Sequence, residues 1–123
     1  MPLLVKITSA GNNGSTLRAD KGINLPDSNL GLNKLTDKDR QDLAFVVKYA
    51  DIINLSFANH PDMVEALQEE LRKLRAEHVA IMLKIETKES FRNLPHLLLT
   101  VMRSYPAGIM IARGDLAVEC GWQ

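Results

Sequence analysis

The sequence predicts an α/β fold organised around a parallel sheet. Two apolar runs of strand length, over 79–85 and 107–112, carry much of that expectation: the first has the near-continuous character of a strand buried on both faces, and the second is a further buried-strand candidate. A shorter β-prone run, Asp51-Ile52-Ile53-Asn54-Leu55-Ser56-Phe57, precedes them. Helical spacing fills the stretches before and between. The resulting order of helix, strand, helix, strand, helix, strand implies right-handed β-α-β crossovers.

Each element has a local reason. Residues 1–35 read as β and loop: Leu3-Leu4-Val5-Lys6-Ile7-Thr8 is a short β-prone run, and Gly11-Asn12-Asn13-Gly14 is dense in turn formers. One Pro, two Gly and two Asn within the twelve residues 21–32 argue for an extended connection. Thr36 with Asp39 three residues later is a capping-box variant, and Leu43, Val46 and Val47 share a face, so a helix is expected over 36–49. His60-Pro61-Asp62 opens a second helix, with Pro61 in the tolerated first turn and Val64, Leu67, Leu71 and Leu74 spaced by three, four and three. Its other face carries Glu65, Glu69, Glu70, Arg72, Lys73 and Arg75, an ordinary solvated surface. A helical stretch over 88–102 is expected to be split or kinked by Pro95.

Composition narrows the class of function. The chain has 123 residues, 46% hydrophobic and 24% charged, the makeup of one soluble globular domain. Fifteen Lys and Arg balance fifteen Asp and Glu, so no basic field exists to bind nucleic acid. No stretch approaches the ~18 apolar residues of a membrane helix. The first residues lack signal-peptide design, which predicts a cytoplasmic chain. Cys120 is the single cysteine, so neither an internal disulfide nor a zinc site is expected, and it reads as a small buried or half-buried residue.

Parallel α/β folds place chemistry at the carboxyl ends of their strands. Those ends offer Ser56, Asn59 and His60, then Lys84 and Glu86, then Arg113, Gly114 and Asp115. Lys84 and Glu86 are two apart in an extended segment, so both project to one face. A salt bridge at a strand mouth is the plain reading of that pair. The functional reading is a carboxylate holding a divalent metal beside a lysine that stabilises an anionic oxygen. Asp115 could add a second hard oxygen, a set that suits Mg²⁺. Gly114 would let a phosphate or carboxylate approach the backbone, and Arg113 could pair with an anion or brace Asp115. His60 reads as a residue of the helix start, and no partner is suggested for His78 or His96.

The run Met82-Leu83-Lys84-Ile85-Glu86, a kinked helical stretch, and then Gly108-Ile109-Met110-Ile111-Ala112-Arg113-Gly114-Asp115-Leu116 closely resemble the pyruvate kinase family. Lys21-Gly22-Ile23-Asn24-Leu25-Pro26, followed by Leu35-Thr36-Asp37-Lys38-Asp39 and Ile53-Asn54-Leu55-Ser56-Phe57, is similar to the same family's return from its cap domain to its barrel. The resemblance implies a partial TIM (β/α)8 barrel of about three β/α units over 36–123, with 1–20 as the tail of the small β cap domain and 21–35 as the extended connection. It implies a glycolytic phosphotransferase that moves the phosphoryl group of phosphoenolpyruvate to ADP, giving pyruvate and ATP, with Mg²⁺ or Mn²⁺ and K⁺.

By motif position, the resemblance makes Lys84 the catalytic and substrate-binding lysine, Glu86 and Asp115 the metal ligands, and Gly114 and Asp115 substrate contacts. Arg113 and Ser56 are supporting residues. The K⁺ ligands, an arginine, a threonine-bearing strand and a regulatory domain belong to family segments not found in this stretch. Ala117, where the family has Gly, and Cys120-Gly121, where it has Ile-Pro, are departures, and Asn59 stands where many members carry a basic or amide residue. A barrel of this kind takes about 250 residues, so the chain is expected to be a fragment, inactive alone and prone to self-association, of a homo-oligomeric enzyme. Two other readings compete: a metal-dependent 2-oxo-acid aldolase or lyase of a related barrel group, and a non-catalytic binding or oligomerisation module with a degenerate site.

Overall fold

The computed structural model describes residues 4–14, 16, 18–19, 22–23, 25–26 and 34–121. Helical segments alternate with single strands from Asp37 onward, two helices standing between the second and third strands: α1 (Asp37–Val46), β1 (Ile52–Leu55), α2 (Pro61–Lys73), β2 (Ala80–Ile85), α3 (Lys88–Arg92), α4 (Leu94–Val101), β3 (Ala107–Ile111) and α5 (Arg113–Cys120). The three strands form one parallel sheet with β2 in the middle. Ile52 pairs with Ala80 through Leu55 with Leu83, and Ile81 pairs with Ala107 through Ile85 with Ile111. The expected α/β class and strand order hold.

Local chemistry explains where the helices begin and end. Thr36 caps α1 in both directions: its Oγ1 accepts the Asp39 N–H, and Asp39 Oδ2 accepts the Thr36 N–H at 2.8 Å. The helix stops at Val46 and gives way to turn over 47–49, three residues short of the expected end. Pro61 occupies the first turn of α2, where its missing N–H costs nothing. Arg75, at φ 55, closes that helix with its N–H on Arg72 O and the Ala76 N–H on Leu71 O, a left-handed helix terminus. The long helical stretch breaks at Asn93, with Pro95 in the first turn of α4. Thr87 and Ser90 form a second capping box at α3.

The core lies between the sheet and its helices. Ile81, Leu83 and Ile85 of β2 are fully buried and pack in one cluster with Val64, Leu67 and Leu71 of α2 and Leu97 and Val101 of α4. Burying each such side chain contributes roughly 1.5–3 kcal/mol. Gln68 ties α2 to the end of α4 by donating to Thr100 O and Ser104 Oγ.

Three expectations are corrected. The run over 79–85 is buried on one face only: Ile81, Leu83 and Ile85 are covered by helices, whereas Ala80, Met82 and Lys84 on the other face are half-buried. The run over 107–112 is not a buried strand, because β3 pairs only with β2 among the described residues and leaves Met110 and Ile111 46% and 63% exposed. Cys120 is exposed, since α5 buries none of its residues.

Residues 4–8 form no strand, and Leu4, Val5 and Ile7 are exposed; Leu3 lies outside the described residues. The expected turn at Gly11–Gly14 is present, with the Gly14 N–H on Gly11 O at 2.8 Å and Gly14 at φ 72. Of the connection over 21–35, Lys21, Asn24 and residues 27–33 lie outside the described residues, and the remainder carries no helix or strand. On the face away from the helices, a Cβ at Gly108 would come within 3.1 Å of Met82 Cε, so glycine there lets the thioether lie across the neighbouring strand.

Candidate functional site

The carboxyl ends of β1 and β2 bring three of the expected residues together. Lys84 points from the uncovered face of β2, and its Nζ lies 2.5 Å from Glu86 Oε1 and donates to Ser56 Oγ at 3.1 Å. Lys84 keeps a quarter of its side chain exposed, whereas Glu86, just past the strand end, is buried at 3%. The second carboxylate oxygen, Glu86 Oε2, accepts the backbone N–H of Phe57 at 2.7 Å. A buried carboxylate with a cation on one oxygen and a fixed backbone donor on the other meets the requirement that buried charge be paired and hydrogen-bonded.

Arg113, Gly114 and Asp115 form the first turn of α5, directly after β3. The Ala112 N–H donates to Ile85 O at 3.0 Å, which ties the start of α5 to the residue just before Glu86. A Cβ at Gly114 would meet nothing within 4 Å, so internal packing does not require glycine there, and the backbone is open to a ligand. Asp115 is half-buried and engaged by a neighbouring group; Arg113 is exposed. The structure therefore joins Ser56, Lys84 and Glu86 through direct contacts, and sets Arg113, Gly114 and Asp115 at the end of the adjacent strand.

Asn59 and His60, read from the sequence as strand-end residues, and Ser90, which was not singled out there, make further contacts in this region. Asn59 accepts from Thr87 Oγ1 at 2.6 Å, and its carbonyl accepts from Asn93 Nδ2 at 2.7 Å. His60, at the start of α2, lies 2.9 Å from Glu89 Oε1. Ser90, fully buried, accepts the N–H groups of Glu86 and Thr87. These bonds staple the loop after β1 to α3. The Thr87-x-x-Ser90 spacing was a usable signal, and the Phe57 conformation left none.

The family model for the pyruvate kinase barrel domain matches residues 4–123. The chain belongs to the pyruvate kinase family. It is 36% identical to the pyruvate kinase of Geobacillus stearothermophilus over 108 residues, which is 87% of this chain and 18% of that protein. It is 35% identical to the Bacillus licheniformis enzyme over 114 residues, 92% of this chain and 18% of that protein. The Clostridium acetobutylicum enzyme is 33% identical over 114 residues, 23% of its length. The chain thus spans about a fifth of the length of these relatives, and its three-stranded sheet is part of a pyruvate kinase barrel.

Among the described residues, no three His, Cys, Asp or Glu side chains gather into a metal cluster, and no helix is long and apolar enough to cross a membrane. The donors at the strand ends are the two carboxylates of Glu86 and Asp115. Hard oxygens in that number fit Mg²⁺, which takes one or two carboxylates and leaves its other positions to water and substrate.

Proposed function

We propose that this chain carries part of the machinery by which a pyruvate kinase transfers the phosphoryl group of phosphoenolpyruvate to ADP, giving pyruvate and ATP. One observation carries the reading: Lys84 is held at the sheet mouth between Ser56 Oγ and Glu86, with a quarter of its side chain open to solvent. Phosphoryl transfer is mostly positioning and charge neutralisation, so a fixed ammonium beside a buried carboxylate is the equipment it needs.

In this reading Lys84 is the catalytic residue and meets the anionic oxygens of the substrate. Glu86 and Asp115 would hold Mg²⁺ or Mn²⁺. When bound, the cation supplies positive charge that neutralises the transferred group. Gly114 and Asp115 contact substrate at the start of α5, and Arg113 and Ser56 support them. K⁺ would take its ligands from outside this chain. The native enzyme would be a cytoplasmic homo-oligomer, and the isolated chain, with three strands of the barrel among its described residues, would not turn over.

Titration of the purified chain with Mn²⁺, together with an assay for phosphoenolpyruvate-dependent ATP formation, tests this. Metal binding without turnover is expected. Robust turnover would overturn the claim of inactivity, and a Lys84→Met substitution without effect in a full-length enzyme would favour a vestigial site. A non-catalytic association module is the second reading, and the sheet face bearing the exposed Ile52 and Met110, left uncovered among the described residues, supports it.

A further inference from the structure

We infer that the Ser56–Phe57 corner is a positioning device for the Lys84–Glu86 pair. The backbone of Phe57 orients the carboxylate, and the hydroxyl of Ser56 anchors the lysine. The inference rests on the roles of Lys84 and Glu86 given under the proposed function. Phe57 stands at φ 52, a left-handed conformation that costs a residue with a side chain about 1–2 kcal/mol. Burial of the ring offsets little of that cost, since Phe57 is 48% exposed.

What the conformation achieves is a hydrogen bond across 29 residues, from the Phe57 N–H to Glu86 Oε2 at 2.7 Å. A backbone N–H has a direction that no rotamer change can alter, so the carboxylate plane inherits its orientation from the end of β1. With Oε2 held in this way, Oε1 is presented to Lys84 at 2.5 Å, and Lys84 is steadied from the other side by Ser56 Oγ at 3.1 Å. The far end of the same loop cannot drift, because the Asn59 side chain is bonded to Thr87 and its carbonyl to Asn93. Ser56 and Phe57 thus act through Lys84 and Glu86.

Four variants of the full chain test this. Phe57→Gly keeps the N–H and suits the left-handed backbone, whereas Phe57→Val keeps the N–H but resists that conformation. Ser56→Ala removes the acceptor, and Ser56→Thr retains it. Two readouts are taken per folded molecule, with urea midpoints fixing the folded fraction: Mn²⁺ affinity by water-proton relaxation, and the rate of Lys84 acetylation by competitive labelling and mass spectrometry.

Phe57→Val is expected to weaken Mn²⁺ binding, and Ser56→Ala to speed Lys84 acetylation, each roughly three- to tenfold, the range of one lost hydrogen bond. Phe57→Gly and Ser56→Thr should stay within about twofold of the parent, since each retains the bonding group in an accessible conformation. Altered urea midpoints with both readouts unchanged would mean a purely structural corner and overturn the inference. If the parent takes up no Mn²⁺, the metal reading of Glu86 and Asp115 fails by itself. Lys84 labelling, which needs no metal, then decides: faster labelling in Ser56→Ala and Phe57→Val sustains the corner's role, and parity with the parent rejects it.

Discussion

Lys84 and Glu86 depend on each other, and substitution exposes the dependence. Glu86 is 3% exposed, so removing its cation leaves a buried carboxylate with one backbone donor. Lys84→Met should therefore lower stability by about 1–3 kcal/mol, the range for a buried polar group left short of a partner. Adding Glu86→Gln should restore most of the loss, because the amide oxygen still accepts the Phe57 N–H and no charge remains buried. Urea unfolding followed by circular dichroism measures both, and a single variant as stable as the parent would show that the pair adds nothing to the fold. Ser90 is a second sensitive point. It is fully buried and accepts two backbone N–H groups, so Ser90→Ala should cost a similar ~1–3 kcal/mol by leaving them unmatched.

At the level of elements, α1 stands on its cap. The Asp39 carboxyl is held below its ordinary value of 3.8, first by the Thr36 hydroxyl, which donates to Oδ2 at 2.7 Å, and then by the Thr36 N–H. A carboxyl depressed in the folded state contributes stability that is present above its unfolded value and lost as pH falls through its folded one. Acid should thus loosen the start of α1 below pH 3.8. Thr36→Ala should cost about 1 kcal/mol at neutral pH and flatten that acid dependence, as hydrogen exchange of the α1 amides would report; an unchanged acid profile would rule the cap out as its cause. This cap was legible because its parts are three residues apart. So was the shared face of Lys84 and Glu86, which follows from strand alternation alone. Phe57 was not legible, because its conformation answers to a carboxylate 29 residues further along the chain. The Thr87 and Ser90 cap was missed because serine stands where the usual signature has Glu or Gln.

At the scale of the whole molecule, the described residues cover the sheet on one side. Parallel sheets are ordinarily covered on both faces. The edge of β1 that no other described strand pairs with borders a groove of about 550 Å³ shared with α1, lined by Leu35, Leu43, Val46 and Ile53 among others. Concentration-dependent association in sedimentation velocity is therefore expected, and Met110→Lys, on the uncovered face, should weaken it. A strictly monomeric chain that unfolds cooperatively would contradict this. The exposure of β3 could not be read from its apolar sequence, because apolarity records what a strand can bury and not whether a neighbour is there to cover it. The register of β2 carries a last consequence, for how this gene segment can change length. Lys84 shares the uncovered face with Met82 because side chains alternate, so deleting or inserting one residue between Ile81 and Leu83 would exchange the two faces of everything beyond the change. The lysine would be driven among the helices and Leu83 turned outward. A change of two residues would preserve the faces, so the site is more vulnerable to one lost codon in this strand than to many point substitutions around it.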